Sequence, residues 1–322
     1  MSDIQENLRK ALNRSKSYLL AAARGDKSLF LTYAKEKQDP STEASAWTAL
    51  ALSTYEDEAA LQAAFAIKQF LLDSQNQDGG WSTKPGAGRS DWTSAPALMS
   101  LRALDQIQTP LKNTAKQSIN FAFEYLLDSR YFAKPATRLV TLVAKGSGAL
   151  NKDRGWPWDP DCFHWIEPTA YALLAMNIPK RPERNKVAIE HALGKAEDFI
   201  LDPACKGGGW NHGNDITLGA PLPAYRLTTA EALLALQARK KEAKVETGLE
   251  YLQSWASKDT SSLSLAMSIL ALSAYGRDCR QEVQFLMARQ ESDGNFTANI
   301  TTTALSTLAL AAHLQKKAPL FF

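Results

Sequence analysis

"FLLDSQNQDGGW" (residues 70–81) closes an amphipathic stretch with a glutamine, turns on Asp-Gly-Gly and ends in a tryptophan. "FLMARQESDGNF" (285–296) repeats the order: aromatic, leucine, three residues, glutamine, then Asp-Gly and an aromatic. "FILDPACKGGGW" (199–210) is a degenerate copy. Gly79, Gly80, Gly86 and Gly88 lack the strand-then-helix setting of a phosphate cradle, so they read as turn residues of a repeated unit.

Working outward from these turns, six Ala/Leu-rich segments share one texture: 41–55, 90–104, 165–176, 226–238, 261–276 and 299–313. Each opens on hydroxyl, acidic or proline signals of a helix start and then runs apolar almost all the way round, which predicts helices buried on most faces. Segments of another kind lie between them, at 4–20, 59–75, 113–129, 183–201, 243–256 and 278–290. In the second of these Leu61, Phe65 and Leu72 fall on one stripe while Gln62, Lys68 and Asp73 fall elsewhere, the pattern of a helix with one wet face. Amphipathic outer and buried inner helices thus alternate six times. Such pairs close naturally into an all-α (α/α)6 toroid, because closure covers the flank that a terminal hairpin leaves bare. An open solenoid is the alternative. The expectation is a single domain over residues 1–322.

Composition narrows the function classes. Lys plus Arg (37) nearly balances Asp plus Glu (34), so the basic surplus that neutralises many phosphates is missing and nucleic acid is not expected as a partner. The first residues, "MSDIQENLRKALNRSK", contain no signal-peptide core, and no run approaches eighteen apolar residues. A soluble, cytoplasmic chain without a transmembrane segment is expected. Three cysteines, Cys162, Cys205 and Cys279, do not make a disulfide framework.

The turns resemble the QW repeat of squalene-hopene and oxidosqualene cyclases, in which glutamine caps the outer helix and the tryptophan stacks on it. The chain as a whole resembles the terpenoid cyclase and protein prenyltransferase toroid superfamily. That resemblance implies a cavity for an apolar, isoprenoid-like ligand. It also implies a place for an acid: triterpene cyclases open an inner helix with Asp-Asp-Thr-Ala or Asp-Cys-Thr-Ala, and Glu167-Pro168-Thr169-Ala170 is its counterpart here. Pro168 suits a first helical turn and would put Glu167 at the cap; a carboxylate merely favoured by the helix dipole is the plain alternative. Asp159 and Asp161 imitate the cyclase Asp-x-Asp-Asp string but lie upstream of the helix start, and rank below Glu167.

A protonated carboxyl needs burial, and the cation it creates needs electron-rich walls that are not nucleophilic. Trp156, Trp158, Phe163 and Trp165 crowd the approach to Glu167, and Trp47, Trp92, Tyr171 and Tyr225 stand near other inner-helix starts; wall and loop packing are both open roles for them. Lys84, Arg89, Arg154 and Arg226 precede inner helices, where they would hold a diphosphate or carboxylate, or serve as ordinary surface charges. Prenyltransferases hold zinc with Asp, Cys and His, but Asp161, Cys162, His164, Cys205 and His212 lack that spacing, and His212 reads as a solvated or hydrogen-bonded loop histidine. No metal and no cofactor are expected.

Triterpene cyclases build their cavity between two barrels, and prenyltransferases pair one toroid with a helical subunit. Either comparison implies a smaller cavity or one completed by a helical partner subunit or a second copy in a homo-oligomer. Three functions follow as expectations: a cyclase-like enzyme using Glu167 as acid, a non-catalytic toroid binding a lipid or polyprenyl ligand, and a scaffold whose lumen is filled by side chains.

Overall fold

The computed structural model describes residues 2–23, 40–107, 113–130, 143, 155–177, 185–254 and 261–321. In chain order its helices are α1 (Ser2–Ala23), α2 (Thr42–Leu52), α3 (Glu58–Asp73), α4 (Ser94–Ile107), α5 (Asn113–Asp128), α6 (Ile166–Asn177), α7 (Lys186–Leu201), α8 (Arg226–Ala235), α9 (Ala243–Ser254), α10 (Ser262–Ala274), α11 (Arg280–Met287) and α12 (Ile300–Gln315). Among the described residues, extended pairing is confined to two antiparallel two-residue ladders, β1 (Trp156–Pro157) with β2 (His164–Trp165) and β3 (Ile216–Thr217) with β4 (Ala220–Pro221).

The even-numbered helices form the inner ring. α2 packs on α4, α4 on α6, α6 on α8, α8 on α10, α10 on α12, and α12 returns to α2. The ring is therefore closed, which removes the open solenoid. Inner helices run parallel: Glu167 in the first turn of α6 meets Thr228 in the first turn of α8, while Arg102 near the end of α4 donates to the Ala175 carbonyl near the end of α6. Every residue of α6 is buried, as the all-round apolar texture requires. Ser41, Ser261 and Asn299 cap α2, α10 and α12 by accepting from the backbone N–H three residues on, satisfying donors the helix leaves free.

Outer helices bury one stripe each. In α3 that stripe is Ala60, Ala64, Ile67, Lys68 and Leu71, one residue off the expected set. The small alanines allow close approach to the inner ring, so Leu61, Phe65 and Leu72 lie at the flanks. Lys68, expected on the wet face, buries its stem, and desolvation lowers the pKa of its amine.

The turns share a hydrogen-bond plan. The indole N–H of Trp81 donates to the Leu71 carbonyl (2.7 Å), that of Trp210 to Ile200 (2.7 Å) and that of Trp156 to Leu126 (2.7 Å). Each thereby satisfies a carbonyl in the last turns of the preceding outer helix. The same three residues donate their backbone N–H to a hydroxyl at the start of the next inner helix, Ser94, Thr229 and Thr169 respectively, each at 2.8 Å. Phe296 does so with Thr303 at 2.9 Å.

The glutamines work differently from the sequence expectation. Gln75 Nε2 donates to the Gly79 carbonyl (2.7 Å) and to the Ser118 carbonyl in α5 (3.0 Å), so it fastens the turn to the neighbouring outer helix. Gln290 does the same at the chain ends, donating to the Ala11 carbonyl (2.8 Å) and Ser15 Oγ (2.7 Å) of α1. Gly79 has φ +92°, and a Cβ there would stand 2.5 Å from the Phe121 carbonyl oxygen, so both the backbone and the space demand glycine. We expect Gln75→Ala to cost about 1 kcal/mol for the net loss of these bonds, read as a lower urea midpoint with an unchanged slope.

The carboxy-terminal segment buries Leu320 in the core, where its carbonyl accepts from Gln237 just after α8 (2.9 Å). Among the described residues no helix is long and apolar enough to cross a membrane.

Candidate active site

α6 begins at Ile166, so Glu167 lies inside the first turn rather than at the cap. Its carboxyl is buried, with 5 % of the residue exposed. Oε1 accepts from Thr228 Oγ1 of α8 at 2.9 Å and lies in short contact with His212 Nδ1. Oε2 is buried without a hydrogen-bond partner. The His212 side chain is 54 % exposed, and its ring lies between those of Trp165 (5.6 Å) and Tyr225 (5.1 Å). Its carbonyl accepts from the Ile166 N–H (3.4 Å), tying the loop to the start of α6. One imidazole thus joins bulk water to a buried carboxyl, the geometry of a proton relay.

A second rung lies one turn deeper. Tyr171 follows Glu167 by four residues on α6, and Glu231 follows Thr228 by three on α8, so each pair shares a helix face. Tyr171 Oη donates to Glu231 Oε1 at 2.5 Å, and Glu231 Oε2 is buried without a partner. Glu231 is 3 % exposed. Burial is the largest influence pushing its pKa up to about 8, the neighbouring Glu167 and Glu43 add to it, and the bond from Tyr171 opposes it. The same burial raises the Tyr171 hydroxyl well above its ordinary range. Tyr171 stacks on Trp92 (5.8 Å, 28°) and meets Trp47 edge-on (5.7 Å, 64°), and Trp92 meets Trp158 edge-on (4.9 Å, 85°).

Glu231 was not among the residues singled out from sequence. The signal was present: an acid inside "RLTTAEALLALQA", a helix expected to be buried on most faces, conflicts with its surroundings. Its partner Tyr171 stands 60 positions away. The raised pKa has a consequence for stability. Between the unfolded value of 4.5 and about 8 the folded chain keeps a proton that the unfolded chain releases, so stability falls as pH rises through that window. Glu231→Gln, which cannot ionise, should therefore gain stability relative to the parent between pH 5 and pH 8 in urea unfolding. A parent–variant difference identical at both pH values would show that the carboxyl is not shifted.

The remaining expected site residues are dispersed. Arg89 pairs with Asp159 (3.1 Å) and Asp161 (2.7 Å), a clamp between two loops that engages both carboxylates. Arg226 is buried; its Nε donates to Ser268 Oγ (2.9 Å) and its Nη2 meets Glu282 Oε1 (3.4 Å), so it joins α8 to α10 and α11. Of the four cations expected at helix starts, Arg89 and Arg226 are engaged in separate ion pairs as described, and Arg154 lies outside the described residues. Trp156 takes the helix-capping place given above. Phe163, Trp165 and Tyr225 are exposed on the rim. Among the described residues no group of three or more His, Cys, Asp and Glu side chains is arranged to hold a metal.

Space at this mouth is small. A cleft of about 10 Å³ lies beside Trp92, Trp156 and Pro168, and Trp47 is only 1 % exposed. A cavity of about 420 Å³ opens at the other end of the ring, between Tyr55, Gln106, Gln315 and Lys317.

No family model matches the sequence, and no curated protein matches it. Solved structures do. A substituted form of the type II terpene cyclase MstE from Scytonema, in complex with its substrate geranylgeranyl dihydroxybenzoate, is similar over 98 % of this chain and 100 % of that one, with TM-score 0.67 and 14 % identity. A substituted glycosidase is similar over 98 % of each chain, with TM-score 0.66 and 10 % identity. A protein from Actinoplanes is similar over 95 % of this chain and 99 % of that one, with TM-score 0.62 and 18 % identity. The chain has the terpenoid cyclase-like helical toroid fold. Because the same toroid serves a cyclase and a glycosidase, the fold does not choose the chemistry.

Proposed function

We propose that the protein is a terpene-cyclase-like enzyme in which Glu167 protonates an isoprenoid substrate. The observation that carries this reading is the asymmetry of one buried carboxyl: Oε1 is engaged by Thr228 and His212, and Oε2 has no partner. The Oε2 proton adds to an alkene, whose π pair forms the new C–H bond, or to an epoxide, whose oxygen lone pair forms the O–H bond while a C–O bond breaks with its pair going to oxygen; either way a carbocation is left on the substrate. The contacts of Oε1 with Thr228 and His212 hold the carboxyl in place and leave Oε2 turned to the substrate. The faces of Trp92, Trp47 and Tyr171 stabilise the cation without trapping it. Loss of a proton from the cyclised cation completes an isomerisation, and His212 returns a proton from water to Glu167. The geranylgeranyl substrate of the similar cyclase supports the choice of an isoprenoid.

A second reading, a non-catalytic toroid, is favoured by one observation: side chains leave little room around Trp47 and Trp92. Turnover therefore requires these aromatics to swing aside for the ligand. Incubation with geranylgeraniol and with geranylgeranyl dihydroxybenzoate separates the readings. A product of unchanged mass with fewer alkene signals in its NMR spectrum supports the enzyme. Binding without conversion supports the second reading, and absence of binding overturns both.

A further inference from the structure

The group that the proposed acid step does not use is Glu231. Its carboxyl is the deeper of two facing each other across α6 and α8, and Oε1 is fixed by the Tyr171 hydroxyl at 2.5 Å. Oε2 is buried with no partner. The indole Nε1–H of Trp47, on a ring edge-on to Tyr171, is a second buried polar atom without a partner. Buried polar groups are almost always hydrogen-bonded, so two such atoms around one tyrosine mark a place for something the chain does not itself supply.

We infer that Glu231 is a specificity-determining hydrogen-bond donor: with Oε1 held by Tyr171, its Oε2–H is given to a neutral oxygen of the ligand, which makes the ligand an oxygenated isoprenoid rather than a bare hydrocarbon. This rests on the isoprenoid reading above and adds to it the nature of one functional group. Burial keeps the carboxyl protonated up to about pH 8, so it carries the required hydrogen at neutral pH. The oxygen is neutral because the Glu43 carboxylate of α2 bears on Glu231, and a diphosphate or carboxylate would meet its negative field. Arg89 and Arg226, the cations nearest in sequence logic to an anion site, are engaged with Asp159, Asp161 and Glu282. The donor of Trp47 points to the same acceptor chemistry. Glu231 touches the ligand in this scheme but transfers no proton to it.

The test compares geranylgeraniol with the C20 hydrocarbon of the same skeleton, binding being read by quenching of tryptophan fluorescence. The parent should bind the alcohol about 10-fold more tightly or better, since a site built to bond an oxygen rejects the analogue that lacks it. Glu231→Leu should bring that ratio to about 1 by weakening the alcohol alone, and Glu231→Gln, whose amide N–H also donates, should restore it. Equal affinity of the parent for both probes, or a preference that survives Glu231→Leu, overturns the inference and leaves the isoprenoid reading standing. Tighter binding of geranylgeranyl diphosphate than of the alcohol also overturns it. Failure of the parent to bind any of these probes removes the isoprenoid reading and this inference together. Where the leucine variant does not fold, Glu231→Ala is read in the same way.

Discussion

Glu167→Gln is expected to fold and to bind ligand as the parent does, while turnover falls roughly 10²-fold or more, the usual scale for removing a general acid. Glutamine has nearly the same size, and its carbonyl oxygen still accepts from Thr228 Oγ1 and His212. What it lacks is a proton to give. The loss should therefore appear in kcat with little change in KM, the signature of an interaction made only in the transition state. A carboxylate that serves only the dipole of α6 predicts something else: a stability change of about 1 kcal/mol with catalysis intact. Turnover at the parental rate in Glu167→Gln would remove Glu167 as the acid. If the rate then fell in Glu231→Gln instead, the proton would have to come from the deeper rung.

Trp81→Ala should destabilise the fold by roughly 3–5 kcal/mol. The side chain is fully buried, and its indole N–H satisfies the Leu71 carbonyl. Truncation leaves a cavity and removes the shorter of two side-chain hydrogen bonds to the Leu71 carbonyl, the one that remains being from Ser74 Oγ at 3.3 Å. Against a total of about 5–15 kcal/mol for an ordinary protein, this is a large fraction, and much lower urea and thermal midpoints follow. Trp81→Phe retains most of the volume and gives up the hydrogen bond, so its loss should be nearer 1 kcal/mol. Unchanged midpoints for the alanine variant would show that the turn does not fasten the hairpin.

The ring was legible because its signal is repeated. Glutamine, Asp-Gly and an aromatic follow α3 and α11, a degenerate copy follows α7, and inner helices without a polar face have nowhere to go except the middle of a closed layer. The six inner helices begin at Thr42, Ser94, Ile166, Arg226, Ser262 and Ile300, each inside the segment expected for it. The site was less legible because its pairs are made across the ring. His212 sits in a glycine-rich loop that gives no hint of Glu167, 45 positions earlier. Arg226 reads as a cation at a helix start, and only the packing of α11 shows that Glu282 awaits it. Trp156 reads as one of a crowd of aromatics near the acid, yet its indole belongs to Leu126. Composition names the chemical types, and the direction in which each side chain leaves its helix decides which of them meet.

The seam where the ring closes sets the order in which the chain can reach its final state. Gln290 and Gly294 dock on α1 near Ala11 and Arg14, and α12 lies against both α1 and α2. Partners separated by as many as 279 positions cannot meet until the ribosome has passed Gln290. Earlier hairpins can stack as they emerge, but α1 and α2 must wait through most of translation with an apolar flank uncovered. A closing contact of such high sequence separation forms late and leaves sticky surface exposed meanwhile. A chain stalled before α12 would be a nascent protein with one bare wall, a natural client for a chaperone.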